Sequence, residues 1–299
     1  MLRPSSNSHL QECAWEDALI SLSQAIDHCD SKRLVAMVGP HTDAETMVAV
    51  KDFFNSFGMW MDYFRFSKKK NKTIFGFFPL GSDNLYVHVD SKFDPTIFPK
   101  SSDLESRYNY LFNTGIAGIE DSDFILIIGS NVRLEAPLVN HRIRKAWRQS
   151  TLNDIAFVGP KNIDLSYDYQ WLGDDLNTLQ QIYSETHPIV KKLKSAKKPI
   201  IILGQQILKS ENSKDSIYSA VKLISEKFNA DFNLLHSNAS QVAAFDLGFK
   251  PSFEMNLDDN NQPTVMWLFG VDDNRLQIPK NCFVVYQVIY NFFLFLPFH

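Results

Sequence analysis

Ile119–Trp147 reads IEDSDFILIIGSNVRLEAPLVNHRIRKAW, and this stretch decides the fold class. Phe124 to Ile128 is a continuous apolar run, as expected of a parallel strand covered on both faces. Gly129 closes the run and permits a tight turn at the strand's carboxyl end. Pro137 suits the first turn of a helix, where its missing N–H costs nothing. Leu138, Val139, Ile143, Ala146 and Trp147 then return at helical spacing. In open α/β sheets, a turn from strand to helix of this kind is where ligands bind.

The same pattern recurs on either side. Leu34–Val38 precedes Gly39, Ile155–Val158 precedes Gly159, Ile200–Leu203 precedes Gly204 and Val265–Phe269 precedes Gly270. Phe283–Tyr286 is a sixth candidate strand. Helical patterns lie between many of these runs. Thr42 to Glu45 has capping-box spacing ahead of Ala44, Met47, Val48 and Phe54. Ile217, Ala220, Val221, Ile224 and Phe228 form an amphipathic stripe. Asn238 is placed to cap a short helix through Val242 and Phe245 that stops at Gly248. Thr186–Pro188 breaks the helical stretch between Asp175 and Lys194, while Ser210–Asp215 and Asp258–Pro263 read as surface loops. The alternation predicts an α/β fold with doubly wound, mostly parallel sheets, in lobes 1–162 and 163–287. No solenoid-like repeat is present.

At 299 residues and 44% apolar, the chain is long enough for a sizeable core. Its net charge of -4 gives no support to general nucleic-acid binding. Its three cysteines, Cys13, Cys29 and Cys282, form no C-x-x-C pair and suggest a reducing compartment. They cannot alone supply the four ligands of an iron–sulfur cluster or a structural zinc. The N-terminus lacks the apolar core of a signal peptide, and Glu12, Glu16 and Asp17 spoil a transit peptide.

Two segments differ in character. Residues 59–80 pack aromatics around a KKKNK run, and 288–299 form a short apolar tail. Each apolar piece is far below the roughly 20 residues that span a bilayer, so no membrane insertion is expected. The first reads as an atypical insertion and the second as a tail foreign to the domain.

Chemical motifs are sparse. There is no G-x-G-x-x-G, no P-loop and no G-x-S-x-G. Gly129-Ser130-Asn131 could approach a cofactor phosphate with Arg133 supplying charge, or be a plain turn. His141, Arg144, Lys145 and Arg148 share a helical face that could meet an acidic partner or simply be solvated. His187 and His236 lack a second ligand at metal-binding spacing. Asp272 and Asp273 follow a strand, where ligands or ordinary turns sit.

Longer wording carries a specific resemblance. NTGIAGIEDSDFILIIGSNVRLEAPLVNHRIRKAW (Asn113–Trp147) closely resembles the large iron–sulfur subunit of mitochondrial complex I, NADH:ubiquinone oxidoreductase. So do WEDAL (Trp15–Leu19), DAETMVAVKDFFN (Asp43–Asn55), DLSYDYQWLGDD (Asp164–Asp175), KKPIIILGQ (Lys197–Gln205), ASQVAAFDLGFKP (Ala239–Pro251) and IPKNCFVVYQ (Ile278–Gln287). The blocks follow one order from about Trp15 to Gln287, with a gap near 59–80.

The resemblance implies a molybdopterin-oxidoreductase-like domain, 1–287. It implies a role in electron transfer from NADH to ubiquinone as part of the complex, in a segment that is structural and inactive alone. Partners would be other peripheral-arm subunits, on the matrix side of the mitochondrial inner membrane. The family's iron–sulfur clusters are held by an N-terminal region expected to lie outside this chain, so none of the three cysteines inherits a cluster. The family's pterin is not retained in this subunit, so no catalytic, cofactor or metal residue is carried over. The alternatives are a pterin-binding oxidoreductase using the Gly129 turn with Arg133 and Arg275, and a non-functional fragment with untranslated sequence at 59–80 and 288–299.

Overall fold

The computed structural model describes residues 11–30, 33–62, 85–87, 106–149, 152, 154–204, 217–251, 255, 262–271, 276, 278–279 and 281–287, with backbone alone for 57–62. In chain order the elements are α1 (Trp15–Asp27), β1 (Leu34–Val38), α2 (Ala44–Asp62), β2 (Leu85–Val87), α3 (Gly115–Gly118), β3 (Phe124–Ile128) and α4 (Val132–Glu135). Then follow α5 (Pro137–Arg148), β4 (Asp154–Val158), β5 (Gln170–Gly173), α6 (Leu176–Tyr183), α7 (Val190–Ser195) and β6 (Pro199–Leu203). The last are α8 (Ile217–Phe228), β7 (Asp231–Leu234), α9 (Gln241–Asp246), β8 (Lys250–Pro251), β9 (Val265–Phe269) and β10 (Phe283–Gln287). All six apolar runs named above are strands.

The chain divides into two units, Met1–Val89 with Asn238–His299, and Asp90–Ser237. The second is thus inserted in the sequence of the first. A boundary at 162/163 falls inside the second unit, between β4 and β5, which pair in parallel through Ala156 and Gln170. The lobe division read from sequence is therefore replaced by a nested one. Residues 162–175 include β5 itself, an edge strand of one sheet.

In the second unit the sheet order is β5-β4-β3-β6-β7, and every pairing is parallel. Counted within the unit this is 3-2-1-4-5, a doubly wound order whose direction reverses between β3 and β6. β3 is central and buried along its length, which is why its sequence does not alternate. Ile125 and Ile127 meet Val139, Ile143 and Ala146 of α5, together with Ile155, Phe157, Ile200 and Ile202 of the flanking strands. Such side chains contribute about 1.5–3 kcal/mol each when fully buried. Tyr218 of α8 packs edge-on to Phe232 at 5.7 Å and donates its hydroxyl to Asn109 O at 2.8 Å.

The first unit has the order β10-β9-β1-β2-β8, again all parallel. Counted within the unit, this too is 3-2-1-4-5, with its reversal between β1 and β9. Val35, Met37, Met266 and Leu268 line one face of the sheet. Trp267 stacks on Phe269 at 5.2 Å and meets Phe53 of α2 edge-on at 5.5 Å.

Local signals were partly displaced. Thr42 does not cap α2. Asp43 does, through Thr46 N at 2.7 Å, which leaves Thr42 free to bond elsewhere. Ser240 rather than Asn238 precedes the first turn of α9. The break at 186–188 separates α6 from α7. Of the insertion expected at 59–80, only the backbone of residues 59–62 is described, as the end of α2. The tail 288–299 and the loops at 210–215 and 258–261 lie outside the described residues.

Candidate functional site

Doubly wound sheets offer ligands the crevice at the carboxyl ends of the strands, where the strand order reverses. Each unit has one such place. In the second unit it lies between Gly129, after β3, and Gly204, after β6. Gly204 N donates to Ile128 O at 2.9 Å, and Gly129 N to Val158 O at 2.8 Å, so the sheet ladder runs to the edge. Gly129 has φ of 65°, a left-handed turn that favours glycine.

Glu135 occupies this turn. Its carboxylate accepts the Ser130 hydroxyl at 2.7 Å and Asn131 N–H at 3.0 Å. Ser130 is 1% exposed. Gly204 lies directly against it, so that a Cβ on residue 204 would be 2.1 Å from Ser130 Cβ. Arg133 is ion-paired with Asp164. Asp164 also accepts Ser166 N–H at 2.9 Å. That backbone bond first, and Arg133 second, hold the Asp164 carboxyl below its ordinary range.

The first unit repeats the arrangement with other residues. Gly39 N donates to Phe269 O at 2.8 Å. Thr42 Oγ1 accepts Gly39 N–H and donates to Phe269 O, both at 3.1 Å. A Cβ on Gly39 would lie 1.8 Å from the carbonyl oxygen of Gly270. Main chain therefore floors this crevice, whereas Ser130 floors that of the second unit. Asp272, Asp273 and Arg275 lie outside the described residues.

The remaining candidates do not converge. Lys145 is bound by Glu120 at 2.6 Å, and the same carboxylate pairs with Arg142. Lys145 first, then Arg142, depress the Glu120 acid. His141, Arg144 and Arg148 are exposed on the same helix. His187 accepts Ile189 N–H at 3.2 Å, and burial lowers its basicity. It lines an open cavity of about 350 Å³ with Glu185, Lys191 and Lys194. His236 Nε2 lies 2.6 Å from Tyr110 O, a structural bond. Cys29 Sγ sits 2.8 Å from Thr264 Oγ1, and burial raises its thiol. Burial pushes Cys282 up to about 12. Among the described residues no group of three His, Cys, Asp or Glu could hold a metal, and no helix is long and apolar enough to cross a membrane.

Glu135 and Glu120 are the residues that motif reading passes over, and Thr42 is one it assigns to a different role. Glu135 had a legible signal, since an acid one turn into a helix can reach back to the N–H at its start. Glu120 had none, because its partners lie 22 and 25 residues away.

Two parallel sheets of this order, with glycine at each reversal, define a doubly wound α/β protein. The chain belongs to the molybdopterin oxidoreductase family, whose profile matches residues 1–291. It is 34% identical over 292 residues to the NADH-ubiquinone oxidoreductase 75 kDa subunit of Reclinomonas americana, covering 94% of this chain and 39% of that protein. It is 31% identical over 289 residues to the NADH dehydrogenase [ubiquinone] iron-sulfur protein 1, mitochondrial, of Solanum tuberosum, covering 94% and 34%. With the NADH-ubiquinone oxidoreductase 78 kDa subunit, mitochondrial, of Candida albicans it shares 34% over 287 residues, covering 93% and 35%. The chain thus spans between a third and two fifths of the length of these relatives.

The family implies a molybdopterin group, and the Gly129 turn does not fit one. Its Ser130 and Asn131 donors are already taken by a carboxylate, which repels phosphate. Arg133, the cation proposed for it, is held by Asp164.

Proposed function

We propose that this chain is a structural and assembly segment of the large iron–sulfur subunit of a mitochondrial NADH–ubiquinone oxidoreductase. The observation that carries the structural half is the Glu135 carboxylate in the Gly129 turn, where a cofactor-binding relative would need free donors. Support for the assembly half comes from the names of the relatives, which are subunits of that oxidoreductase. In this reading the segment takes part in electron transfer from NADH to ubiquinone only through the complex. Clusters held elsewhere in the subunit carry the electrons. The two sheets supply rigid packing surface that keeps the cluster-bearing part and its neighbours in register, on the matrix side of the inner membrane.

The test is a native gel of mitochondrial membranes probed for peptides unique to this chain, including those from 59–80. Migration with NADH dehydrogenase activity is expected. Peptides found only in small species, or only a longer form without 59–80, would overturn the assignment of this chain to the complex. The structural half is tested by elemental analysis of the purified chain. Stoichiometric molybdenum, or NADH-dependent quinone reduction by the chain alone, would sink it.

A further inference from the structure

α5 carries four Lys or Arg and no Asp or Glu, in a protein of net charge -4. Val139, Asn140, Ile143 and Ala146 are buried, which fixes the opposite face outward. On a helix of 3.6 residues per turn, Leu138, His141, Lys145 and Arg148 share that outward stripe, with Arg144 beside it. Glu120 pairs with both Arg142 and Lys145, one oxygen to each. His141, Arg144 and Arg148 form no ion pair among the described residues. Cations at a helix C-terminus are favourable on their own account. That does not explain the other end of the stripe, where Leu138 is 71% exposed, nor the preceding short helix α4, where Leu134 is 75% exposed. A bare leucine at the start of α5 and unpaired cations farther along it form a surface with an apolar anchor point and a charge preference.

We propose that this face of α5 docks an acidic segment of a protein partner, anchored by an apolar residue against Leu138, with carboxylates on Arg144 and Arg148. Charge complementarity selects the partner's sign, since the rest of the chain is net acidic and leaves these cations unanswered. An anionic bilayer is the poorer match. A helix lying on lipid buries a broad apolar face, and that face of α5 is spent on the sheet. The proposal rests on the assembly reading only for the identity of the complex, not for the chemistry of the face.

The test places a benzophenone amino acid at His141 of the full chain in its native cells. The assembly is irradiated, separated on a native gel, and cross-linked peptides are read by mass spectrometry. The expected product is one protein segment of net negative charge. Its yield should fall roughly tenfold in the Arg144→Glu/Arg148→Glu double variant and persist in the Arg144→Lys/Arg148→Lys pair. Both side chains are exposed, so folding should be unaffected. If the reversed pair melts lower, the Arg144→Gln/Arg148→Gln pair gives the reading instead. Cross-links to lipid, to many unrelated proteins or to a basic segment, or a yield indifferent to charge, would overturn the proposal. Comigration with NADH dehydrogenase activity together with any of those results means that docking fails while the assembly reading stands. An acidic cross-linked segment in a complex without that activity means the reverse.

Discussion

Glu135 is the most consequential side chain of the second sheet's carboxyl edge, because one carboxylate satisfies both donors of the turn. Glu135→Ala should leave Ser130 and Asn131 N–H unpaired and destabilise by about 1–3 kcal/mol, read from urea denaturation. Gly204→Ala forces a methyl to within 2.1 Å of Ser130 Cβ. An overpacking loss of about 1–3 kcal/mol or more is expected in the same assay, against little effect from Ala at an exposed site. A third residue governs acid stability. Burial pushes the Asp123 acid up, but the N–H groups of Lys197 at 2.7 Å and Lys198 at 2.9 Å outweigh it, and the net shift is downward. A depressed acid contributes stability in full above the unfolded value of about 3.9, and loses it as pH falls through the folded value. Asp123→Asn should therefore be weaker than the parent near neutrality, and the two should converge as pH drops well below about 3.9. Parallel denaturation curves across that range, with a constant gap, would refute this. At this scale the sequence was half legible. Ser130 and Asn131 were visible as turn residues with Glu135 within local reach, whereas Glu120, the acid that answers α5, acts from far along the chain.

Among elements, legibility followed burial. β1, β3, β6 and β9 are apolar along their length, and β4 after Asp154, because both sheet faces are covered, and a run of four or five such residues reads as a strand at once. β5 and β7, Gln170–Gly173 and Asp231–Leu234, carry polar residues and are made strands by pairing with a neighbour already in place. Asn233 illustrates the point. It is fully buried in β7 yet bonds Thr114 N at 2.9 Å, a partner 119 residues away. Caps are more local and slip by a residue when two candidates adjoin, as with Thr42 and Asp43. α6 has a clear one, since Asp175 accepts Thr178 N–H at 2.9 Å and its hydroxyl at 2.8 Å. Asp175→Ala should cost about 1 kcal/mol, seen as a lower melting temperature. An unchanged melt would mean that packing of Leu179 and Ile182 alone holds this helix.

For the molecule as a whole, the nested division makes an unequivocal prediction about fragments. Residues 90–237 hold a complete five-stranded sheet and should unfold cooperatively when expressed alone. Residues 1–162 cut β3 away from β6 and β4 away from β5, and should be insoluble or unstructured. Soluble, cooperative 1–162 would restore the sequence-based boundary. The close contacts at Gly39 and Gly204 reach further than stability. What fills the reversal point of the first unit is backbone, the carbonyl of Gly270, which no point substitution can trim away. Evolving a new cofactor pocket there would require a longer connection after β1. A mutagenesis library of single replacements would explore everything at this edge except the one change that matters.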